Sequence, residues 1–220
     1  MATNESDATS ERSWDDPDHA RSYLADRVEL PHRREGEAVL VECIPPTTRR
    51  VLDLGSGDGR ILAAVLSANP EAAGVALDHN PTMLQAAAER FGHHGAVDVV
   101  DHDLDQPLPD SLGTFDVVVS GLAIHHVAPD RRRALYREIA GRLEPGGAFA
   151  DLDFVRSATE VLHDRFIEEA PWDRNPDRAW DRHPSVAERM RWMTEAGLDN
   201  VDCVWRWREL TLIVGERAAT

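Results

Sequence analysis

The stretch Val51-Leu-Asp-Leu-Gly-Ser-Gly-Asp-Gly-Arg60 constrains the fold of this chain more than any other. Residues 51–54 form a short apolar run suited to a buried parallel strand. The run breaks into Gly55, Gly57 and Gly59, and a helical apolar stretch follows from Ile61. A strand that turns sharply into a helix needs backbone angles open chiefly to glycine, and main chain without side chains lets a ligand lie directly against it. The same turn aims the unpaired amides of a helix N-terminus at that ligand. A second apolar run, residues 73–77, ends in Asp78. A carboxylate at the tip of the neighbouring strand is where the hydroxyls of a bound ribose are held.

The rest of the chain keeps switching between the two periods. Runs at 97–100, 115–120 and 148–154 read as three more strands, separated by helical stretches at 81–91 and 129–143. That alternation builds a parallel sheet covered on both faces. Leu135, Ile139 and Leu143 recur at helical spacing. The fourth run empties into Gly121-Leu-Ala-Ile-His125-His126-Val127, at a strand end that borders the ligand crevice of such a sheet. Residues 155–200 are far longer than a connection requires. They read as a helix over 157–170, a loop, and a helix led in by 181–185 that stops at Gly197. Alternation over 201–207 and 209–215 predicts a closing hairpin. Upstream, residues 1–13 lack any apolar period and read as a disordered tail. Residues 14–45 read as two helices divided by Pro31, with Tyr23, Leu24, Val28, Ala38, Val39, Leu40 and Ile44 facing inward. A single domain over 14–220 is expected.

The D-x-G-x-G-x-G spacing from Asp53 to Gly59, the acidic tip Asp78, the His125-His126 stretch and the turn Leu143-Glu-Pro-Gly-Gly147 together resemble the class I S-adenosylmethionine (SAM)-dependent methyltransferases of small molecules. The resemblance implies an α/β fold, a Rossmann-like doubly wound seven-stranded sheet with an antiparallel last strand. It also implies an N-terminal helical cap (14–45) and a substrate-side insertion (155–199). By it, Asp53 and the turn residues Gly55, Ser56, Gly57 and Gly59 hold the methionine end of SAM. Asp78 and His79 meet the ribose, Met83 lies on the adenine, and Asp103 with Leu104 (or Asp101) takes the adenine edge. Ser120, Gly121 and Leu122 wall the methyl side. Candidate acceptor-lining residues are Trp14, Tyr23, His32, Asp153, Trp172, Trp180 and His183.

His125 or His126 can serve as a general base, since imidazole titrates near neutral pH, or can simply bond and pack the loop. Asp151 and Asp153 share one side of the fifth strand and can bind a cationic substrate, bind a metal, or pair with arginines. Two other functions fit the same residues. One is a metal-assisted O-methyltransferase using His125, His126, Asp151 or Asp153, although none of their spacings is distinctive. The other is a SAM-binding protein without turnover. The reading adopted is methyl transfer to O or N of a small molecule, without a resident metal.

Charge narrows the partners. Against 40 acidic residues stand 24 basic ones, a formal net charge of −16, and every basic residue is arginine, which excludes lysine chemistry such as a Schiff base. Such a surface repels phosphate backbones and anionic membranes, so neither nucleic acid nor membrane is an expected partner. The run Arg131-Arg132-Arg133 reads as a solvated first helical turn. Cys43 and Cys203 form no metal spacing and no disulfide framework. With no leader pattern and no span-length apolar run, the chain reads as a soluble cytoplasmic monomer or homodimer.

Overall fold

The structure, a computed structural model, describes residues 20–21, 24, 30–169 and 183–219. Seven strands form one sheet: β1 (Arg50–Leu54), β2 (Ala73–Asp78), β3 (Val97–Asp101), β4 (Phe115–Gly121), β5 (Leu143–Phe154), β6 (Asp199–Trp207) and β7 (Leu210–Glu216). Their order is β3-β2-β1-β4-β5-β7-β6. β1 pairs in parallel with both β2 and β4, so the strand order reverses between β1 and β4 and opens a crevice at their carboxyl ends. β7 runs antiparallel and is wedged between β5 and β6. The described helices are α1 (Arg33–Glu42), α2 (Arg60–Ala68), α3 (Pro81–Phe91), α4 (Pro129–Arg142), α5 (Glu160–Glu169) and α6 (Val186–Glu195). This is the doubly wound seven-stranded sheet with an antiparallel last strand that the resemblance implies.

The strands read as unbroken apolar runs because both faces are covered. On one face Leu52, Leu54, Val118 and Phe149 pack with Leu135 and Ile139 of α4 and Met193 of α6. On the other, Val51, Ala76 and Val119 pack with Leu40 of α1, Leu62 and Val65 of α2, and Phe91 of α3. Burying a side chain of this size contributes about 1.5–3 kcal/mol.

Several local expectations shift. Leu143–Gly147 is the start of β5 and not a free turn: Leu143 aligns with Phe115, and the register slips between Phe115 and Val117. Arg217 N donates to Gly147 O there at 2.8 Å, and Gly146 N donates back to Arg217 O at 2.9 Å. α5 begins at Glu160, because Ser157 is drawn to the hairpin, where its Oγ donates to Glu209 Oε1 at 2.5 Å. α6 begins only after Ser185, whose side chain caps Glu188 N while Glu188 reaches back to Ser185 N. Ala38 faces solvent, and Glu37 takes an inward place in α1. Arg132 is buried and not solvated: its Nε donates to Val127 O at 2.7 Å and its Nη2 to His125 O at 2.6 Å. The expected tail at 1–13, the greater part of the expected first cap helix, and Trp14, Tyr23, Trp172 and Trp180 lie outside the described residues.

Candidate functional site

A cavity of about 370 Å³ opens at the carboxyl ends of β1, β2 and β4, within the range of small-ligand sites. Its floor is the turn after β1. Gly55 and Gly57 adopt φ of 63° and 54°, the left-handed region that β-carbons disfavour. A Cβ on Gly55 would lie 2.2 Å from that of Ala123, so this glycine lets the loops after β1 and β4 touch. Gly57 faces open space, with only Met83 Sδ at 3.9 Å from a hypothetical Cβ. Its bare main chain on the cavity wall is a cradle for a ligand.

Around this floor the polar groups are aimed but incompletely used. Asp53 is 1% exposed; its Oδ2 accepts from Leu62 N in the first turn of α2 at 3.2 Å, and its Oδ1 has no protein partner. Burial pushes its pKa up to about 7; the nearby Asp78, Asp58 and Glu37 add to the shift, and the Leu62 N–H opposes it. Ser56 Oγ is likewise buried and unpartnered. Asp78 is fixed from two sides, accepting from Gly57 N at 2.8 Å and Asn80 N at 2.9 Å. Each carboxylate oxygen has a second lone pair for a ligand hydroxyl.

On the β3 side, Asn80 caps α3 through bonds from Thr82 N and Met83 N, which sets Met83 against the cavity at 2% exposure. Asp103 accepts from Asp105 N at 2.9 Å and so stiffens the loop that carries Leu104. Both Asp103 and Leu104 are on the wall, as is the exposed His79, whereas Asp101 is not.

The β4 side is formed by Gly121, Leu122, Ala123, His126 and Val127. Leu122 sits at φ 58°, costly for a branched side chain, and is held there by its N–H on Leu152 O at 2.9 Å. Behind it lies a buried ionic cluster. His125 donates its backbone N–H to Asp153 Oδ2 at 2.9 Å and pairs through Nδ1 with Asp153 Oδ1 at 2.6 Å. Arg189 of α6, fully buried, lies 3.4 Å from Asp151 and 3.6 Å from Asp153, and donates to Phe154 O at 2.8 Å. Tyr136 donates to Asp151 at 3.0 Å. Burial alone would raise both aspartates, and Asp151 stays raised; His125 and Arg189 pull Asp153 well below the usual carboxylate range. The His126 ring lies 3.9 Å from that of His125, and burial first, then His125, lowers its pKa well below the ordinary value.

The cavity therefore gathers Asp53, Gly55, Ser56, Gly57, Asp78 and His79 with Met83, Asp103, Leu104, Gly121, Leu122 and His126. Other expected residues fall behind the wall. Gly59 packs against Phe91, and Ser120 is fully buried, its Oγ donating to Leu54 O at 2.9 Å. His125 and Asp153 face one another, so Asp153 is a support for the histidine loop and does not line the cavity. His183 is buried against His125 and Phe154, with neither ring nitrogen bonded. His32 stacks on Trp207 and pairs with Glu35. Sequence reasoning missed Arg33, Arg60, Asn80 and Asp105 on the wall. Of these, Asn80 was visible as a cap residue directly before Pro81.

The comparisons with known proteins agree with this geometry. Residues 51–147 match a family described as "Methyltransferase domain". An uncharacterised methyltransferase of Mycobacterium tuberculosis is 34% identical over 119 residues, which cover 54% of this chain and 57% of that protein. The ornithine lipid N-methyltransferase of Singulisphaera acidiphila is 28% identical over 133 residues, covering 58% of this chain and 69% of its own. The chain thus spans little more than half the length of the first of these relatives. Among solved structures, an O-methyltransferase family protein from Burkholderia thailandensis superposes with a TM-score of 0.71 at 24% identity, over 95% of this chain and 63% of that one, a likeness of fold. The glycine turn, the acidic strand tips and the strand order agree with that match: residues 51–147 are similar to a methyltransferase domain, on a fold shared with solved methyltransferase structures.

Proposed function

We propose that the cavity binds SAM and that the protein transfers its methyl group to an oxygen or nitrogen of a small molecule. The observation that carries this is Asp53 Oδ1, a buried carboxylate oxygen without a protein partner beside the bare Gly57 cradle. A cationic ligand with an amino group and ribose hydroxyls fits that donor set, with Asp53 and the 55–57 backbone at its aminoacyl end and Asp78 at its ribose. Met83, Asp103 and Leu104 receive the base. SAM supplies an electrophilic methyl on a sulfonium, so the protein's main task is alignment of the acceptor with it.

Gly121 and Leu122 wall that side, and His126 stands there as a neutral imidazole, able to take a proton from a hydroxyl acceptor. His125, paired with Asp153, positions the loop and acts through it. Asp151 and Asp153 are engaged by Tyr136, Arg189 and His125, and among the described residues no three His, Cys, Asp or Glu are grouped to hold a metal ion, which favours this reading over a metal-assisted one. In it residues 14–45 cap the cofactor and 155–199 shape the acceptor side. The net charge of −16 supports a small-molecule acceptor over nucleic acid or an anionic membrane, and the protein is read as a cytoplasmic monomer or homodimer. Among the described residues no helix is long and apolar enough to cross a membrane.

The test is a calorimetric titration with SAM, S-adenosylhomocysteine and NAD side by side. Micromolar binding of the two adenosyl ligands alone is expected, and binding of NAD alone would overturn the assignment. With an acceptor in hand, His126→Ala should slow turnover while leaving S-adenosylhomocysteine affinity intact. Equal rates would leave His126 a packing residue.

A further inference from the structure

His183 stands beside the histidine pair but has no part in the scheme above. Only 5% of it is exposed, and neither of its ring nitrogens has a hydrogen-bond partner among the described residues. A neutral imidazole carries one donor and one acceptor, so burial here leaves both unpaired and weakens the closed arrangement. The ring meets His125 edge-on, with centroids 5.6 Å apart, and Phe154 at 6.2 Å. Next in the chain, Pro184 O accepts from Arg156 N at 3.0 Å, and Ser185 caps α6. Residues 183–185 thereby join α6 to the exit of β5, where His125 and Asp153 are paired.

The surroundings admit this ring only as a neutral one. It faces His125 and His126 from the histidine loop, Arg132 from α4, Arg189 from α6 and Asp153 from β5. The two guanidiniums are permanent cations. The carboxylate among these groups is already committed, its Oδ1 to His125 Nδ1 at 2.6 Å and its Oδ2 to His125 N at 2.9 Å, with Arg189 3.6 Å away. A proton on His183 would add a buried positive charge among cations with no free carboxylate to offset it. Burial first, then His125, with Arg189 and Arg132 adding and Asp153 opposing, holds its pKa down to about 2. Once residues 183–185 open, the ring regains water and its ordinary value of 6.5. Above that value the ring is neutral in both forms. Below it only the open form takes up a proton, so acid draws the equilibrium towards opening, about tenfold per pH unit.

We propose that His183 is an acid-sensitive latch, whose protonation in the open form releases residues 183–185 from the exit of β5 and uncovers the His125–Asp153 pair. The latch itself needs no ligand. Its consequence for turnover rests on the methyl-transfer reading, in which that pair positions the loop carrying His126, so acid loosens the hold on the base. The cofactor cavity is not touched directly, since His183 does not line it.

The experiment is hydrogen exchange read by mass spectrometry on the full chain without ligand, corrected for the intrinsic pH dependence of amide exchange. It compares wild type with His183→Phe between about pH 7.5 and 5, in peptides covering residues 183–195. Wild type should open about tenfold more for each pH unit below 6.5. The phenyl ring of His183→Phe still packs on Phe154 but has nothing to protonate. Its profile should be flatter than that of wild type by about one decade per pH unit, any remaining slope being the share of His126. At pH 7.5 the variant should exchange more slowly than wild type, because no ring nitrogen is left unpaired. Peptides over β1 and α2 should stay equally protected in both proteins. Equal slopes in the two proteins, or no slope in wild type, would overturn the latch, and so would the same slope over β1 and α2, which marks global unfolding. Cofactor binding enters none of these readings, so their failure leaves the SAM proposal to its own titration.

Discussion

Asp53 carries a pH dependence with a definite sign. Its folded, unliganded pKa is pushed up to about 7, chiefly by burial, with Asp78, Asp58 and Glu37 facing it. An arriving ammonium favours the ionised form, so binding below pH 7 must expel a proton. S-adenosylhomocysteine affinity should rise with pH up to about 7 and level off above it. Asp53→Asn should bind more weakly and lose the slope, and calorimetry across pH 5.5–8 reads both; a flat wild-type profile counts against the assignment. The unfolded chain releases this proton near pH 4, so Asp53's own contribution favours the fold at low pH and declines as pH rises towards 7. Asp78 makes a useful contrast. Its carboxylate is fixed by Gly57 N and Asn80 N, and in the proposed SAM pose it meets the ribose and not the amino-acid end. Asp78→Ala should therefore weaken S-adenosylhomocysteine and 5′-methylthioadenosine, which has no amino-acid group, alike. Both aspartates were legible in the sequence, because a glycine turn and a strand tip fix their places locally. Ser120 was not: nothing near it in the chain announces that its hydroxyl is spent on Leu54 O of the adjacent strand.

Elements show the same division. Each strand and described helix from β1 to α4 was legible from its apolar period, since both sheet faces are covered by helices of ordinary length. What escaped were features set by distant partners. Arg132 looked solvated in a run of three arginines, yet two carbonyls of the histidine loop draw it inside. α6 gave no hint that Arg189 would be fully buried between Asp151 and Asp153. That residue fastens α6 to the exit end of β5. Arg189→Ala removes the cation shared by two buried carboxylates, leaving Asp151 only Tyr136 and Asp153 only His125 and Phe154 N among the described residues, and should destabilise the protein by about 3 kcal/mol in urea unfolding. A loss below about 1 kcal/mol would show the cluster to be solvated and not dry.

At the scale of the molecule, the position of the cavity followed from strand order alone, because a crevice forms wherever order reverses. The arginines at its rim did not follow, because Arg33 reaches it from a helix outside the sheet pattern. The net charge of −16 makes a prediction here. SAM carries one positive charge more than S-adenosylhomocysteine, so its affinity should fall more steeply between low and high salt. Parallel salt slopes in paired titrations would mean that the field at the cavity is set by near neighbours only.

The wedging of β7 between β5 and β6 has a consequence for how the protein is made. β5 spans Leu143–Phe154, yet its second neighbour is built from Leu210–Glu216, and β6 reaches the sheet only through that strand. A nascent chain that has emerged only as far as β6 holds the β1–β5 half of the sheet with an unpaired edge, exposed to other chains. Synthesis must run through β7 before that edge closes, so the β5 edge waits for a strand that leaves the ribosome after β6.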